Sequence, residues 1–473
     1  MIGYFFMILV GLTLAISAGW AFSYFGLSCF EQIIFHLKVP LEGTNTQFIV
    51  DWFKKCFIKA FLISLLFLIP NIFEIYAQIF PLLAICVLVI CILYGAAKVG
   101  IFGFIGNLFR KTDLYEKHYV DGKNVKITFP SKKRNLILLY VESLETTYAS
   151  KEKGGDYKED LIEEITQLAE ENQNFSHQSR LGGYHVVAGT GWTTGGIVAS
   201  TSGLPLTVPM MTRRFSDDKP FLPGAYALGD ILKKEGYQQE YLIGSDALFG
   251  GRKFYFDTHG NYHIFDLKEA YKEHKLPEDY RVFWGYEDEK LFSFAKEEIL
   301  RLAQNDQPFN FTMLTVDTHH PYGYKDAHYK DEYPEQLSNI IRGNSKKIGE
   351  FIDWLKKQPF YEDTTIVIMG DHTSMAAEYI HKTYDSDYER TVMNVIINSQ
   401  KKTTSNHHRL FTAFDLYPTI LNAMGVEIEN DKLGLGVSLF SGKKTLAEEM
   451  GLQKLDQQLR MQSSYYKNKI LKS

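Results

Sequence analysis

Beyond Cys91 the 473-residue chain has no cysteine: Cys29, Cys56, Cys86 and Cys91 are the only four. The long remainder therefore has no disulfide framework, no cysteine nucleophile and no thiolate metal site. The absence is neutral about compartment, because a cysteine-free domain folds in the cytoplasm or the periplasm. Charge is missing from the first 30 residues, an aliphatic and aromatic stretch longer than the roughly 20 residues a helix needs to cross a bilayer. An excess of positive charge is missing too. The net charge is −5, and because seven of the 51 basic and four of the 56 acidic residues precede residue 112, the rest carries −8. No basic face is implied, and a nucleic-acid partner is excluded. Internal repeats and low-complexity tracts are also lacking.

What is present begins with apolar runs. After the first come a second, over Phe57 to Phe73 with Lys59 placed to snorkel, and a third from Ile75 to Ala97. Pro70 and the stretch Glu74 to Gln78 suit a tight hairpin between the last two. No lysine or arginine precedes the first run and no small-residue cleavage site follows it, so it reads as a retained span and not as a signal peptide. We therefore expect an anchor with about three spans over residues 1–110 and a connector over 111–134. A catalytic domain over 135–442 and a polar tail over 443–473, part exposed helix and part disordered, complete the expected organisation. The connector ends in the basic loop Pro130-Ser131-Lys132-Lys133-Arg134. Arg110 and Lys111 give only a weak positive-inside signal, so the side of the membrane must come from chemistry.

Past the connector, strand-like and helix-like segments alternate. Strands are expected at Asn135 to Val141, Glu240 to Ile243, Phe309 to Val316, Thr364 to Met369 and Val392 to Ile397. Helices are expected at Leu161 to Glu171, Ala225 to Glu235, Lys290 to Ala303, Gln336 to Lys357 and Phe411 to Met424. This alternation predicts an α/β fold, a mostly parallel sheet flanked by helices.

Four short segments carry the chemistry. They are Tyr140-Val141-Glu142-Ser143, Gly189-Thr190-Gly191-Trp192-Thr193, Asp317-Thr318-His319-His320-Pro321 and Gly370-Asp371-His372. Ligands in open α/β sheets sit beyond the carboxyl ends of the strands, so Glu142, Asp371 and His372 should converge at one sheet edge. Two carboxylates and one imidazole suit Mn²⁺ or Zn²⁺. A threonine hydroxyl at such a metal can attack phosphorus or sulfur. Glycines flank Thr193, and from Gly195 the chain could open a helix whose amides face an anion. His319 and His320 can hold a phosphate or protonate a leaving group. Arg252, after Gly250 and Gly251, can reach into a phosphate pocket. His407, His408 and Arg409 are expected to cap the helix that starts near Phe411.

These strings resemble the alkaline-phosphatase/sulfatase superfamily, and within it the membrane phosphoglycerol transferases, including those that decorate periplasmic glucans. The resemblance rests on Gly189 to Thr193 with Val198-Ala199-Ser200 and Gly203-Leu204-Pro205-Leu206, on Thr315 to Pro321, and on Leu433 to Phe440. It covers roughly residues 133 to 440, and likeness to lipoteichoic acid synthases is more distant. It implies an outward-facing catalytic domain on the periplasmic or extracellular side of the bacterial cytoplasmic membrane. Glu142, Thr193, Asp371 and His372 match the family's ligands for one divalent ion, Mn or Zn with Mg possible, and Thr193 matches its nucleophile. His319, with His320 beside it, and Arg252 match its phosphate-binding groups. Phosphatidylglycerol is the implied donor and a periplasmic or surface glycan the implied acceptor. The synthases carry an aromatic residue two positions before the arginine, where this chain has Gly250. Trp284 fits a recurring family segment and is expected to pack structurally. A phosphoethanolamine transferase is the nearest rival, but those enzymes typically have disulfides in the soluble domain. The Cys/Ser-x-Pro-x-Arg precursor of sulfatase formylglycine is missing at the nucleophile string. A catalytically silent glycan-binding module would be expected to have lost a ligand, and none is lost here.

Overall fold

The computed structural model describes residues 2–24, 30–39, 47–69, 74–207 and 219–472. Its centre is a seven-stranded sheet. In chain order the strands are β1 (Asn135–Val141), β2 (Gly183–Tyr184), β3 (Gln238–Ile243), β4 (His263–Phe265), β5 (Phe309–Leu314), β6 (Thr364–Gly370) and β7 (Val392–Ile397). Across the sheet they run β2-β7-β6-β1-β5-β3-β4. Neighbours from β6 to β4 are parallel, while β7 is antiparallel to both β6 and β2. The mostly parallel sheet expected from the alternation is therefore present, with an antiparallel margin. The central strands are uninterrupted runs of Leu, Ile, Val and Met because both faces are covered. Leu136, Leu138 and Tyr140 face the core shared with helices Thr193–Ser202 and Ala413–Ala423. Ile137, Leu139 and Val141 face the core shared with Glu163–Glu171, Asp288–Ala303 and Gln336–Leu355.

The expected elements are all found with ends shifted by a few residues, as frayed ends allow. Three expectations about this domain and its flanks need correction. The tail is not an exposed segment. Helices Leu446–Met450 and Leu452–Arg460 fold back and bury Leu455, Leu459, Tyr466 and Ile470 in the main core. The connector is likewise integrated, with Leu114 and Tyr115 in that core and Arg134 buried against Thr365 and the Asn398 carbonyl. Finally, His407, His408 and Arg409 do not cap the helix at Ala413. Thr412 and Asp415 form its capping box, and Arg409 instead pairs with Glu448, pinning the folded-back tail.

Ahead of this domain lie helices α1 (Ile2–Tyr24), α2 (Phe30–His36), α3 (Gln47–Trp52), α4 (Ile58–Leu66) and α5 (Glu74–Lys98). Residues Ile2–Phe22 and Gln78–Lys98 are long and apolar enough to cross a membrane. Glu74 to Gln78 is helical and opens α5, so it is no hairpin link; Pro70 lies outside the described residues. α1 and α5 run parallel: Tyr4 meets Phe80, Gly11 meets Leu88 and Cys91, and Gly95 meets Leu14, Ala15 and Ala18. Small residues at these crossings let the backbones approach. α3 and α4, joined by a π turn at Phe53–Phe57, run the opposite way along α1. Asp51 accepts from Tyr24, Trp52 donates to Ser17, and Phe61 meets Phe5.

Candidate active site

Strand register brings the four segments together. Val141 at the end of β1 pairs with Gly370 at the end of β6, so Glu142 and Asp371 leave the sheet side by side. The turn after β1 is tight, and Ser143 adopts a left-handed φ of 58°, a region costly for a residue with a side chain. Two contacts hold it there. Its amide donates to Asp371 Oδ1 at 2.8 Å and its hydroxyl to Glu142 Oε1 at 2.7 Å. The His372 amide donates to the same Asp371 oxygen at 3.0 Å. Thr318, four residues past β5, donates to the Glu142 carbonyl at 2.6 Å and draws the third segment in.

Glu142, Asp371 and His372 are all buried, with ligand atoms within 4.8 Å of one another. Thr193, the first residue of helix Thr193–Ser202, has its Oγ1 at 3.5 Å from Glu142 Oε2 and 3.4 Å from His372 Nε2. The helix touches the strand end directly, since a Cβ on Gly196 would stand 1.9 Å from the Asp371 carbonyl oxygen. The competing hydroxyls are engaged elsewhere. Thr190 donates to the Val187 carbonyl and Thr194 to that of Gly250, leaving Thr193 as the hydroxyl of this string that faces the acidic group.

Two features fit a cation. Asp371 Oδ2 is buried with no hydrogen-bond partner among the described residues, a costly state unless something positive meets it. His372 Nδ1 lies 2.8 Å from the Thr373 carbonyl. A carbonyl only accepts, so Nδ1 carries the proton and Nε2 presents a lone pair beside Asp371 Oδ2, 3.3 Å away. That is the tautomer a metal-ligating histidine adopts. Burial, then the adjacent Glu142 charge, pushes the Asp371 carboxyl up to about 6. Burial alone would lower His372, but the Asp371 and Glu142 carboxylates outweigh it and raise the imidazole.

Arg252 and His319 are neighbours of this group. Arg252 is buried over the Phe249 ring and donates to Ser245 and the Asp246 carbonyl, while its Nε has no partner among the described residues. His319 is pushed down to about 4, chiefly by burial, and the charges of His372, Asp371 and Arg252 all bear on it. Its Nδ1 donates to the His320 carbonyl at 2.8 Å. Neutral His319 therefore offers a bare Nε2, suited to accepting a proton more than to donating one. His320 is buried and packs on His319 with ring centroids 4.5 Å apart. Trp284 packs structurally, as expected. Half-buried, it stands 4.8 Å from the His319 ring and 5.2 Å from Phe249. Phe249 thus supplies an aromatic face close to the position where Gly250 lacks one.

Supporting residues escaped the sequence reading. Buried Glu145 accepts from Arg390 through both oxygens and from the Ser374 amide, bracing the loop after His372. Asp288 accepts from the Val316 and Asp317 amides and from Asn344, fixing the loop that carries His319. The one signal for the second was Asp288 itself, which ends the segment begun by Trp284.

The sulfatase family profile matches residues 134–426, and the chain belongs to that family. It is 32% identical over 325 residues to phosphoglycerol transferase I of Escherichia coli, covering 67% of this chain and 40% of that one. The chain thus spans well under half the length of this relative. Among solved structures it is similar to the lipoteichoic acid synthase LtaP from Listeria monocytogenes, with a TM-score of 0.52, 16% identity, and coverage of 69% and 81% of the two chains. It is also similar to the integral membrane protein lipooligosaccharide phosphoethanolamine transferase A from Neisseria meningitidis. There the TM-score is 0.51 and the identity 14%, over 89% of this chain and 84% of the other. These two likenesses concern the fold, and the second extends into the N-terminal helices.

Proposed function

We propose that this protein is a membrane-anchored phosphoglycerol transferase that moves phosphoglycerol from phosphatidylglycerol to a glycan hydroxyl through a covalent intermediate on Thr193. The observation that carries the proposal is the Thr193 hydroxyl poised at the buried Glu142, Asp371 and His372 group. The relative's name, phosphoglycerol transferase I, supports the transferred group.

Glu142, Asp371 and His372, with the Thr193 oxygen, would hold one divalent ion, Mn or Zn, with Mg also compatible. Such an ion, when bound, favours the alkoxide of Thr193 and neutralises charge on a phosphate. In our reading Thr193 Oγ1 attacks the phosphorus of the lipid phosphodiester. As the P–O bond to diacylglycerol breaks, the departing oxygen takes up the proton that the Thr193 hydroxyl gives up, relayed by a neighbouring base. Arg252 offers its unpartnered Nε–H to a phosphate oxygen, and amides at the uncapped start of helix Thr193–Ser202 face the same charge. His319 Nε2 takes the proton of the incoming sugar hydroxyl as that oxygen displaces Thr193, which recovers a proton and is freed. Fixed donors aimed at developing charge provide much of such rate enhancement.

The anchor would cross the membrane three times. Support comes from the parallel course of α1 and α5 with the α3–α4 rod running back along α1. The catalytic domain would face the periplasm or cell exterior, where a lipid donor and a glycan acceptor meet. The phosphoethanolamine alternative keeps the chemistry but usually goes with a disulfide-bonded domain, which a chain without cysteine past Cys91 cannot build. Brief exposure to phosphatidylglycerol without acceptor should add one glycerophosphoryl group to the peptide holding Thr193, and Thr193→Ala should abolish it. An adduct on Thr194, or full turnover in Thr193→Ala, would show that the wrong hydroxyl was chosen. A phosphoethanolamine adduct would hand the function to the alternative.

A further inference from the structure

A cleft of about 900 Å³ separates the helical anchor from the catalytic domain. One wall is membrane helix, with Trp20 and Tyr24 at the domain end of α1. The other begins where two active-site loops end, at Pro321 just after His319-His320 and at Ala376 four residues past His372. The lining contains three lysines, Lys55, Lys59 and Lys382. Two are engaged: Lys55 donates to the Tyr322 hydroxyl and Lys382 pairs with Glu335. Lys59 has no ion pair among the described residues. It is the one charged side chain of the run Phe57 to Phe67, and it sits eight residues past Asp51, about 12 Å further along the rod at 1.5 Å per residue. A lysine on an apolar span is costly unless an anion meets it, and among the described residues no carboxylate pairs with it.

We propose that this cleft holds one anionic phospholipid. Its headgroup phosphate rests on Lys59, assisted by Lys55, its acyl chains lie along the apolar anchor helices, and its headgroup end points toward the His319 loop. The charge of the lining chooses the occupant. With Glu335 and Glu378 also present, three cations and two anions leave one net positive charge. That charge matches a headgroup of net −1, and a zwitterionic headgroup would bring an ammonium into a site that already holds three. The inference rests on the phosphoglycerol reading only in identifying the occupant with the donor. Binding itself needs no transfer.

The test uses the full-length protein in phosphatidylcholine nanodiscs doped with brominated-acyl phosphatidylglycerol or, at equal mole fraction, brominated-acyl phosphatidylethanolamine. Quenching of Trp20 is read as the difference between wild type and Trp20→Phe. Phosphatidylglycerol should quench this component at a several-fold lower mole fraction. Lys59→Gln should reduce that preference about fivefold, the value of one lysine near an anionic lipid. Lys54→Gln, on the same rod but outside the cleft lining, should leave it intact, as should Thr193→Ala. Equal quenching by both lipids, or an unchanged preference in Lys59→Gln, overturns the proposal. A Lys59-dependent preference in a protein that transfers nothing from either lipid upholds the cleft and removes the transferase reading.

Discussion

Gly196→Ala sets two effects of opposite sign against each other, and the structure says which wins. Gly196 lies in the second turn or so of helix Thr193–Ser202, with no positive φ to require glycine. By helix propensity alone, alanine should stabilise the protein by roughly 0.5–1 kcal/mol. Its Cβ, however, would stand 1.9 Å from the Asp371 carbonyl oxygen, where packed Cβ atoms keep at least 3.0 Å. Helix and strand end must therefore separate by about 1 Å. Overpacking of this kind costs about 1–3 kcal/mol, and both contacting parts are backbone, so the upper end applies and the net effect is a loss of about 2 kcal/mol. The same displacement moves Thr193 away from Glu142 and His372. A misplacement near 1 Å costs turnover about 100-fold. Gly103→Ala is the control, a glycine inside helix Ile101–Leu108 whose Cβ would meet nothing within 4 Å. Thermal unfolding with parallel turnover measurements should show Gly196→Ala less stable and nearly inactive, with Gly103→Ala unchanged or slightly more stable. A Gly196→Ala protein with a raised melting temperature and normal turnover would refute the claimed contact between nucleophile helix and metal-binding strand end.

Glu142→Ala, Asp371→Ala and His372→Ala should each lower bound divalent metal and abolish turnover, because each removes one member of a small ligand set; elemental analysis showing wild-type metal in all three would dismiss the site. Arg390→Ala leaves the buried Glu145 carboxylate without its cation and should destabilise by about 3–5 kcal/mol, read in denaturant unfolding. On the proposed topology of three crossings and an external domain, a reporter that works only in the cytoplasm should be silent when fused at Ser473, and its activity would overturn that topology.

The candidate cluster was legible in the sequence because its members are anchored to strand ends. Once Asn135–Val141 and Thr364–Gly370 are read as parallel neighbours, Glu142 and Asp371 have nowhere to go but the same edge, and the observed Val141 to Gly370 register places them there. Residues that act across long sequence separations were not legible. Glu145 and Arg390 are 245 apart, and neither has a local pattern announcing the pair. Arg409 was misread because a basic cluster ahead of a helix looks like a cap, whereas its partner Glu448 lies on the tail folded back beside it. The tail was misread for a related reason. Its apolar residues Leu455, Leu459, Tyr466 and Ile470 are sparse among charges, and only their spacing on one face buries them together.

The choice among Thr190, Thr193 and Thr194 shows where sequence reasoning ends. Composition treats the three alike, since each is a threonine in a glycine-rich loop, and the family string alone favoured the middle one. Geometry separates them by what their hydroxyls already do. Thr190 closes its own turn through the Val187 amide and carbonyl, and Thr194 ties helix Thr193–Ser202 to the Gly250 carbonyl, two residues before Arg252. Thr193 contacts only ionisable groups. Its neighbours therefore fix it at both ends, one holding the loop before it and the other joining its helix to the arginine loop. That arrangement gives a nucleophile little freedom to lose when substrate arrives, which is where orientation contributes to rate. Phe35 of α2 packs on the Trp192 ring at 5.6 Å, so the segment leading from the anchor rests on the residue next to Thr193. The N-terminal helices thus touch the loop that carries Thr193.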